Sequence, residues 1–315
     1  MKKIKLQIIA SLIILILITS GLSFGFSPKK NIVVKENEDF YFVQITDTHV
    51  MHKIFDRNEN SKNRLKNVLS YICSFEKKPD FIVITGDLTE WGGSRISGTL
   101  NCIAFTSCFY KKDGQLYADE NYMIPVYTTP GNHDYNFNRN LKNYHKIINN
   151  NTNYVVNYKN TCLFFMDSGP NYYAKVYNWI DNIDGAGLYN CDIQWLENAL
   201  NNCSCSYKII LMHHPAVNSR NDKGVMHGVI AHNREVFISL CQEHDVELVL
   251  TGHTHKSEVF DGYECVYSFN NSLNCSLYPT LFVQTDDCKE GIHYRNISMI
   301  DKDIFLENCV ELNFR

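Results

Sequence analysis

Seven short, nearly continuous apolar runs set the frame of this chain: Phe40–Thr46, Phe81–Thr85, Val126–Thr129, Cys162–Met166, Lys208–Met212, Leu248–Thr251 and Leu281–Gln284. Runs this short, with little polar alternation, suit strands buried on both faces. Helical stripes lie between them. Leu65, Val68, Leu69 and Ile72 recur at the i, i+3, i+4, i+7 spacing of one helix face. Asp192 stands where it would cap a helix carrying Ile193, Leu196, Ala199 and Leu200, and Val236, Phe237, Leu240 and Cys241 make a third stripe. Strands and helices in this alternation predict a layered α/β domain whose sheets are covered by helices. Segments 92–122 and 255–279 break the rhythm as Gly-, Ser- and Asn-rich insertions, and 294–311 reads as a closing β-meander.

At 315 residues, 44% apolar and 20% charged, the composition excludes disorder, collagen and coiled coil. The formal charge is -4, and no basic block occurs beyond Lys2, Lys3 and Lys5. Phosphate-driven nucleic-acid binding is therefore disfavoured, and no nucleic-acid-binding surface is evident. The same three lysines precede an apolar run from Ile8 to Ile18 and a small-residue exit at Thr19-Ser20-Gly21. Residues 1–26 thus read as a signal peptide or an N-terminal membrane anchor, which would tether the chain if retained. Residues 38–315 are the expected domain, in a secreted or extracytoplasmic setting. All twelve cysteines lie between Cys73 and Cys309, an even number that permits full pairing, and Cys102 with Cys108 could close a small loop. Five Asn-x-Ser/Thr sequons, at Asn150, Asn202, Asn270, Asn274 and Asn296, suit a secretory glycoprotein.

Polar clusters follow five of the apolar segments: Asp47-Thr-His49, Gly86-Asp87, Gly131-Asn132-His133-Asp134, Met212-His213-His214-Pro215 and Gly252-His253-Thr-His255. At the carboxyl ends of neighbouring strands they would converge on one crevice. In Asp-x-His and His-x-His, the i, i+2 spacing on extended backbone puts both side chains on one side, so both can reach one metal. Carboxylate, amide and imidazole donors without thiolate suit Zn, Mn or Fe.

This order of motifs resembles the signature of the calcineurin-like metallophosphoesterase superfamily, from residue 47 to residue 255. The resemblance implies a four-layer α-β-β-α fold, two facing mixed sheets flanked by helices. It implies a centre of two divalent or trivalent metal ions. Asp47, His49 and His255 would hold the first, and Asn132, His213 and His253 the second, with Asp87 bridging. His213 is preferred to His214 because the family favours the histidine two residues before Pro. His133 would face the phosphate of a small phosphoester substrate, with Asp134 orienting it. A hydroxide shared by two metals about 3.5–4 Å apart would attack phosphorus in line with the leaving alkoxide.

Protein Ser/Thr phosphatases of the superfamily carry Gly-Asp-x-x-Asp-Arg-Gly and Gly-Asn-His-Glu. Here the segments read Gly86-Asp-Leu-Thr-Glu90-Trp91-Gly92 and Gly131-Asn-His-Asp134, without that Arg. Purple acid phosphatases typically place a Tyr after Gly-Asp and lack the histidine that His49 provides. The chain looks most similar to the cyclic-nucleotide and glycerophosphodiester phosphodiesterase branch, with secreted sphingomyelinase-like phosphodiesterases as the other near neighbour. The alternatives are a phosphomonoesterase and a non-catalytic binding protein on the same fold. Met51, His52, Trp91, Tyr135 and His214 could line the pocket, and His227 and His232 lie in a loop that could cover it.

Overall fold

The computed structural model describes residues 39–57, 60–135, 140–169, 187–219, 228–262, 264–266 and 271–312. The first half contains β1 (Phe40–Ile45), α1 (Ser61–Ser74), β2 (Phe81–Thr85), α2 (Ser97–Thr106), β3 (Tyr110–Lys112), β4 (Gln115–Tyr117), β5 (Pro125–Thr129), β6 (Tyr154–Tyr158) and β7 (Thr161–Phe165). Then come α3 (Asn190–Asn201), β8 (Tyr207–Leu211), α4 (Arg234–Glu243), β9 (Leu248–Thr251), β10 (Glu258–Asp261), β11 (Glu264–Cys265) and β12 (Ser272–Asn274). The chain closes with β13 (Leu281–Gln284), β14 (His293–Ile300), β15 (Asp303–Glu307) and β16 (Val310–Glu311).

The strands form two mixed sheets. One runs β12-β15-β14-β1-β2-β5-β4-β3, with β16 beside β14, and the other runs β11-β10-β13-β9-β8-β7-β6. At the heart of the first sheet β1, β2 and β5 are parallel, and β7, β8, β9 and β13 are parallel in the second. Period-2 alternation divides each strand between two cores. Phe81 and Val83 of β2 meet Ile209 and Leu211 of β8 between the sheets. Ile82 and Ile84 turn outward onto Leu65, Val68, Leu69 and Ile72 of α1. On the far side, Ile210 packs with Leu196 and Leu200 of α3 and with Phe237 and Leu240 of α4. The result is helix, sheet, sheet, helix, with apolar contact at all three interfaces, as the motif resemblance implied.

Several local readings are corrected. Asp192 is not the cap but the third residue of α3, where its Oδ2 accepts from the Tyr189 backbone N–H at 2.9 Å. Its position satisfies a free N–H of the first turn and favours the positive end of the helix. Val236 is exposed, and Ile238 takes its place in the buried set of α4. Segment 92–122 is not irregular: it holds the ten-residue α2 and the β3–β4 hairpin. Ser97, Gly98 and Thr99 open α2, and these poor helix formers hid it. Full cysteine pairing is also not found. Cys162 and Cys203 form a disulfide that ties β7 to the end of α3, while ten cysteines are free thiols. Cys102 and Cys108 are among these. Cys102 faces the core under α2, whereas the Cys108 thiol turns to the Lys62 and Ala104 carbonyls.

Candidate metal centre

Each candidate ligand follows the carboxyl end of a parallel strand. Asp47 and His49 follow β1, Asp87 follows β2, and Asn132 and His133 follow β5. His213 follows β8, and His253 and His255 follow β9. Hydrogen bonds join the two sheets at this end. Gln44 of β1 donates to Thr85 Oγ1 at 3.0 Å and to the Thr251 carbonyl of the other sheet at 3.1 Å. Just above, the His253 backbone N–H donates to Asp47 Oδ2 at 2.9 Å, and the His213 Nδ1 contacts the Thr85 carbonyl at 2.8 Å. That last bond makes Nδ1 the donor, which leaves Nε2 as the free nitrogen.

Asp87 stands at the centre of the cluster. Its Oδ1 accepts from the His133 backbone N–H at 2.8 Å. Its Oδ2 lies 3.3 Å from His213 Nε2, 3.5 Å from His49 Nε2 and 3.9 Å from His133 Nε2. Asp47 Oδ1 is the second focus, 3.4 Å from His255 Nε2, 3.8 Å from His49 Nε2 and 4.0 Å from His213 Nε2. Asn132 Oδ1 sits 3.1 Å from His213 Nε2. The structure thus brings together Asp47, His49 and His255 as one set, with ligand atoms within 4.8 Å, and His213 with His253 and His214 as another.

The backbone is bent to achieve this. Asp47, His49, Asp87, His253 and His255 all have left-handed φ, between 42° and 70°. Such conformations are uncommon for residues other than glycine and cost about 1–3 kcal/mol each where the surroundings enforce them. Two glycines permit the close approach. A Cβ at Gly131 would stand 2.2 Å from Asp87 Oδ1, and one at Gly252 would stand 2.5 Å from Asp47 Oδ2.

The donor set fits a pair of cations. Asp47 Oδ1 and His49 Nε2 are fully buried and have no hydrogen-bond partner. Buried polar atoms left this way are expensive unless something else binds them. Electrostatics agrees. Burial opposes charge on His49, but the neighbouring carboxylates of Asp47, Glu90 and Asp87 outweigh it and raise the ring to about 10. Burial likewise opposes charge on His213, yet Asp87 and Asp47 lift it to about 9. Burial and the neighbouring His213 push His253 down to about 3. The carboxylates therefore hold positive charge in this crevice, as protons when nothing else supplies it. Cations bound there would displace those protons.

The assignment of Asp134 as the residue that orients His133 is corrected. Asp134 accepts instead from the Leu88, Thr89 and Gly131 backbone N–H groups and from Thr89 Oγ1, at 3.0 to 3.1 Å, and so fixes the loop that carries Asp87. The ring of His133 is held by Glu90, whose Oε1 lies 2.8 Å from its Nδ1. The other oxygen of Glu90 takes His49 Nδ1 at 2.7 Å. One carboxylate thus turns the Nε2 atoms of both rings toward Asp87. Sequence reading passed over Glu90, although it stands three residues after Asp87. Asp287, after β13, does the same for His255, 3.4 Å from its Nδ1. Ser168 Oγ holds His214 Nδ1 at 3.0 Å, and the buried Nε2 of His214 has no partner. Both histidines of the pair reach the cluster, but it is His213 that faces Asp87 and Asn132.

His133 has 34% of its side chain exposed, against 2% for His49 and none for His213. With His255, 30% exposed, it is one of the imidazoles of the cluster that an incoming ligand meets. Of the other pocket candidates, Met51 and Tyr135 are buried, with the Tyr135 hydroxyl donating to Asp167, while Trp91 is 55% exposed. His232 is exposed, and His227 lies outside the described residues.

Residues 40–257 match the family profile described as calcineurin-like phosphoesterase. Over 224 residues the chain is 27% identical to the probable glycerophosphodiester phosphodiesterase GpdQ of Arcobacter nitrofigilis, covering 68% of this chain and 71% of that protein. Among solved structures, purple acid phosphatase PPD1 from yellow lupin seeds aligns with a TM-score of 0.57 at 14% identity. That alignment covers 87% of this chain but only 51% of the lupin protein, so this chain spans about half its length, and the likeness is one of fold.

Proposed function

The chain belongs to the calcineurin-like phosphoesterase family of metal-dependent phosphoric ester hydrolases, and from that membership we propose that it hydrolyses a phosphodiester at a two-metal centre. The observation that carries this is the position of Asp87, whose Oδ2 is shared among His213, His49 and His133 within 3.9 Å. Asp47, His49 and His255 would hold one cation, Asn132, His213 and His253 the other, and Asp87 both. Two such cations would polarise the phosphoryl oxygens and supply a water acidified toward neutrality. The likeness to the Arcobacter protein supports a diester over a monoester.

The chain's own groups would do the rest. Glu90 accepts the Nδ1 proton of His133, which leaves Nε2, 3.9 Å from Asp87 Oδ2, to carry a second N–H whenever the ring is charged. Asp87 and Glu90 favour the charged ring over the opposing effect of burial, and its pKa is raised. That N–H would stabilise a non-bridging oxygen as charge develops and then protonate the leaving alkoxide. Water adds to phosphorus, the ester P–O bond breaks, and a phosphomonoester and an alcohol leave. We further propose that residues 1–26 direct the chain out of the cytoplasm. The Cys162–Cys203 disulfide and the exposed sequons at Asn150 and Asn202 support this reading. A shift in mass on glycosidase treatment of the native protein would check it.

The test of activity is metal content and turnover of an aryl phosphodiester by the chain loaded with Mn, Zn or Fe. Two metals per chain and turnover are expected, and Asp87→Asn should lose at least one metal and nearly all activity. Absence of both in every metal would sink the proposal.

A further inference from the structure

We infer that Trp91 is the specificity platform of this site, stacking on the planar base of a nucleoside phosphodiester; the inference rests on the phosphodiesterase reading above. The backbone on either side of Trp91 is tied to His133. Glu90 Oε1 holds the imidazole Nδ1 at 2.8 Å, and the Gly92 N–H donates to the His133 carbonyl at 2.7 Å. Trp91 is therefore fixed one residue from both groups that position the phosphate-facing ring.

It is held there in an unfavourable conformation. Its φ is 51°, a genuine outlier for so bulky a residue. Its carbonyl accepts from the Ser94 N–H at 3.0 Å and presses on Gly98, where a Cβ would come within 2.6 Å of it. The turn is thus locked through its backbone. The indole, by contrast, is 55% exposed and has no hydrogen bond, ring contact or ion pair with any described residue. It contributes little to the core, and glycine or asparagine would fill the turn at less cost. A strained, exposed aromatic beside a reaction centre is explained by what it contacts from outside.

An exposed indole suits either a flat heteroaromatic ring or a quaternary ammonium group. The surrounding charge decides between them. Two residues on, Gly93 borders a cavity of about 440 Å³ lined by Arg95, Lys142 and Lys146, none with a carboxylate partner among the described residues. On a chain of net charge -4 this is a local excess of positive charge. A choline headgroup would be repelled here, and a lone ring builds no cage around one. A neutral base stacks on one face, and the cationic rim welcomes its phosphates.

Two measurements on the metal-loaded full chain test this. In turnover, Trp91→Ala should lower kcat/KM for adenosine 3′,5′-cyclic phosphate about tenfold more than for glycerophosphoethanolamine, chiefly through KM, and Trp91→Phe should restore most of it. In binding, adenosine monophosphate should quench the indole emission of the wild type but not of Trp91→Phe. An equal effect on both esters, a Phe variant no better than Ala, or quenching that survives in Trp91→Phe overturns the inference. If the wild type hydrolyses neither ester nor an aryl phosphodiester, the phosphodiesterase reading fails instead, and the quenching experiment still decides whether Trp91 receives a base.

Discussion

Replacing Glu90 by glutamine should impair both arms of the centre. Each carboxylate oxygen takes one imidazole Nδ1, at 2.7 Å from His49 and 2.8 Å from His133. Glutamine keeps the shape but offers one oxygen and one NH₂. Only one ring can keep its acceptor, and the other meets a donor. The retained bond falls from charge-assisted to neutral, a loss of about 1 kcal/mol, and the opposed ring leaves a buried donor unpaired, about 1–3 kcal/mol more. The sum, about 2–4 kcal/mol, corresponds to a factor of roughly 30 to 1,000. The His49 share should appear as weaker metal affinity, within the ten- to hundredfold typical of lost carboxylate–histidine support, and the His133 share as a lower kcat at saturating metal. Metal titration by calorimetry and steady-state kinetics over a range of metal concentrations separate the two, with circular dichroism as the check on folding. A folded Glu90→Gln protein with metal affinity and kcat both within twofold of wild type would refute the argument.

Metal affinity should fall with acidity, because His49 and His213, raised to about 10 and 9 without metal, must each release a proton to bind it. Those raised values also stabilise the metal-free fold at low pH and lose that effect as pH rises through 9 to 10. The Tm gap between metal-loaded and chelator-treated protein should therefore widen from pH 6 to pH 9, and a constant gap would contradict this. Gly131→Ala should fold, yet lose roughly a hundredfold in activity. Its Cβ would stand 2.2 Å from Asp87 Oδ1, and displacements near 1 Å at a reaction centre cost about that much; unchanged turnover would count against the packing argument. Glu247, which precedes β9 at the end opposite His253 and is bonded to the Lys208 N–H at 2.7 Å, is raised by burial from its ordinary 4.5 to about 7. The native state then holds a proton that the unfolded chain releases, so stability from this group is full below pH 4.5 and lost as pH rises through 7. Glu247→Gln, which keeps the acceptor, should be more stable than wild type by about 1–3 kcal/mol at pH 8 and nearly equal at pH 4.5 in urea unfolding.

The layers of this fold were legible because each central strand is a short apolar run and each principal helix carries one apolar stripe. Leu65, Val68, Leu69 and Ile72 bury as their spacing required. What escaped were elements whose stability is tertiary. In α2, Asn101 is buried because its side chain bonds the His52 N–H and the Glu90 carbonyl, while Ile103 is 48% exposed, so no apolar stripe marks the helix. Cysteine pairing failed for a related reason. An even count states only that partners exist, whereas Cys102, Cys241, Cys275 and Cys288 are buried among apolar neighbours as free thiols.

The same division runs through the centre. Groups proposed to touch the cations were readable because they come in pairs, Asp-x-His and His-x-His, directly after an apolar strand, although the backbone there is left-handed at Asp47, His49, His253 and His255 and not extended as the spacing suggested. Groups that orient those rings carry no such constraint. Glu90, Asp287 and Ser168 each reach an Nδ1 from a different loop, and only the folded topology sets which one does. Asp134 shows the converse error. It adjoins His133 in sequence, but the short 3-10 turn over Asn132–Asp134 points its carboxylate back to the N–H groups of residues 88, 89 and 131. Adjacency in a motif thus predicts a shared loop, not a shared hydrogen bond. The division also says where variation in activity should arise: changes at the paired ligands abolish the centre, while changes at Glu90, Asp287 or Ser168 retune it.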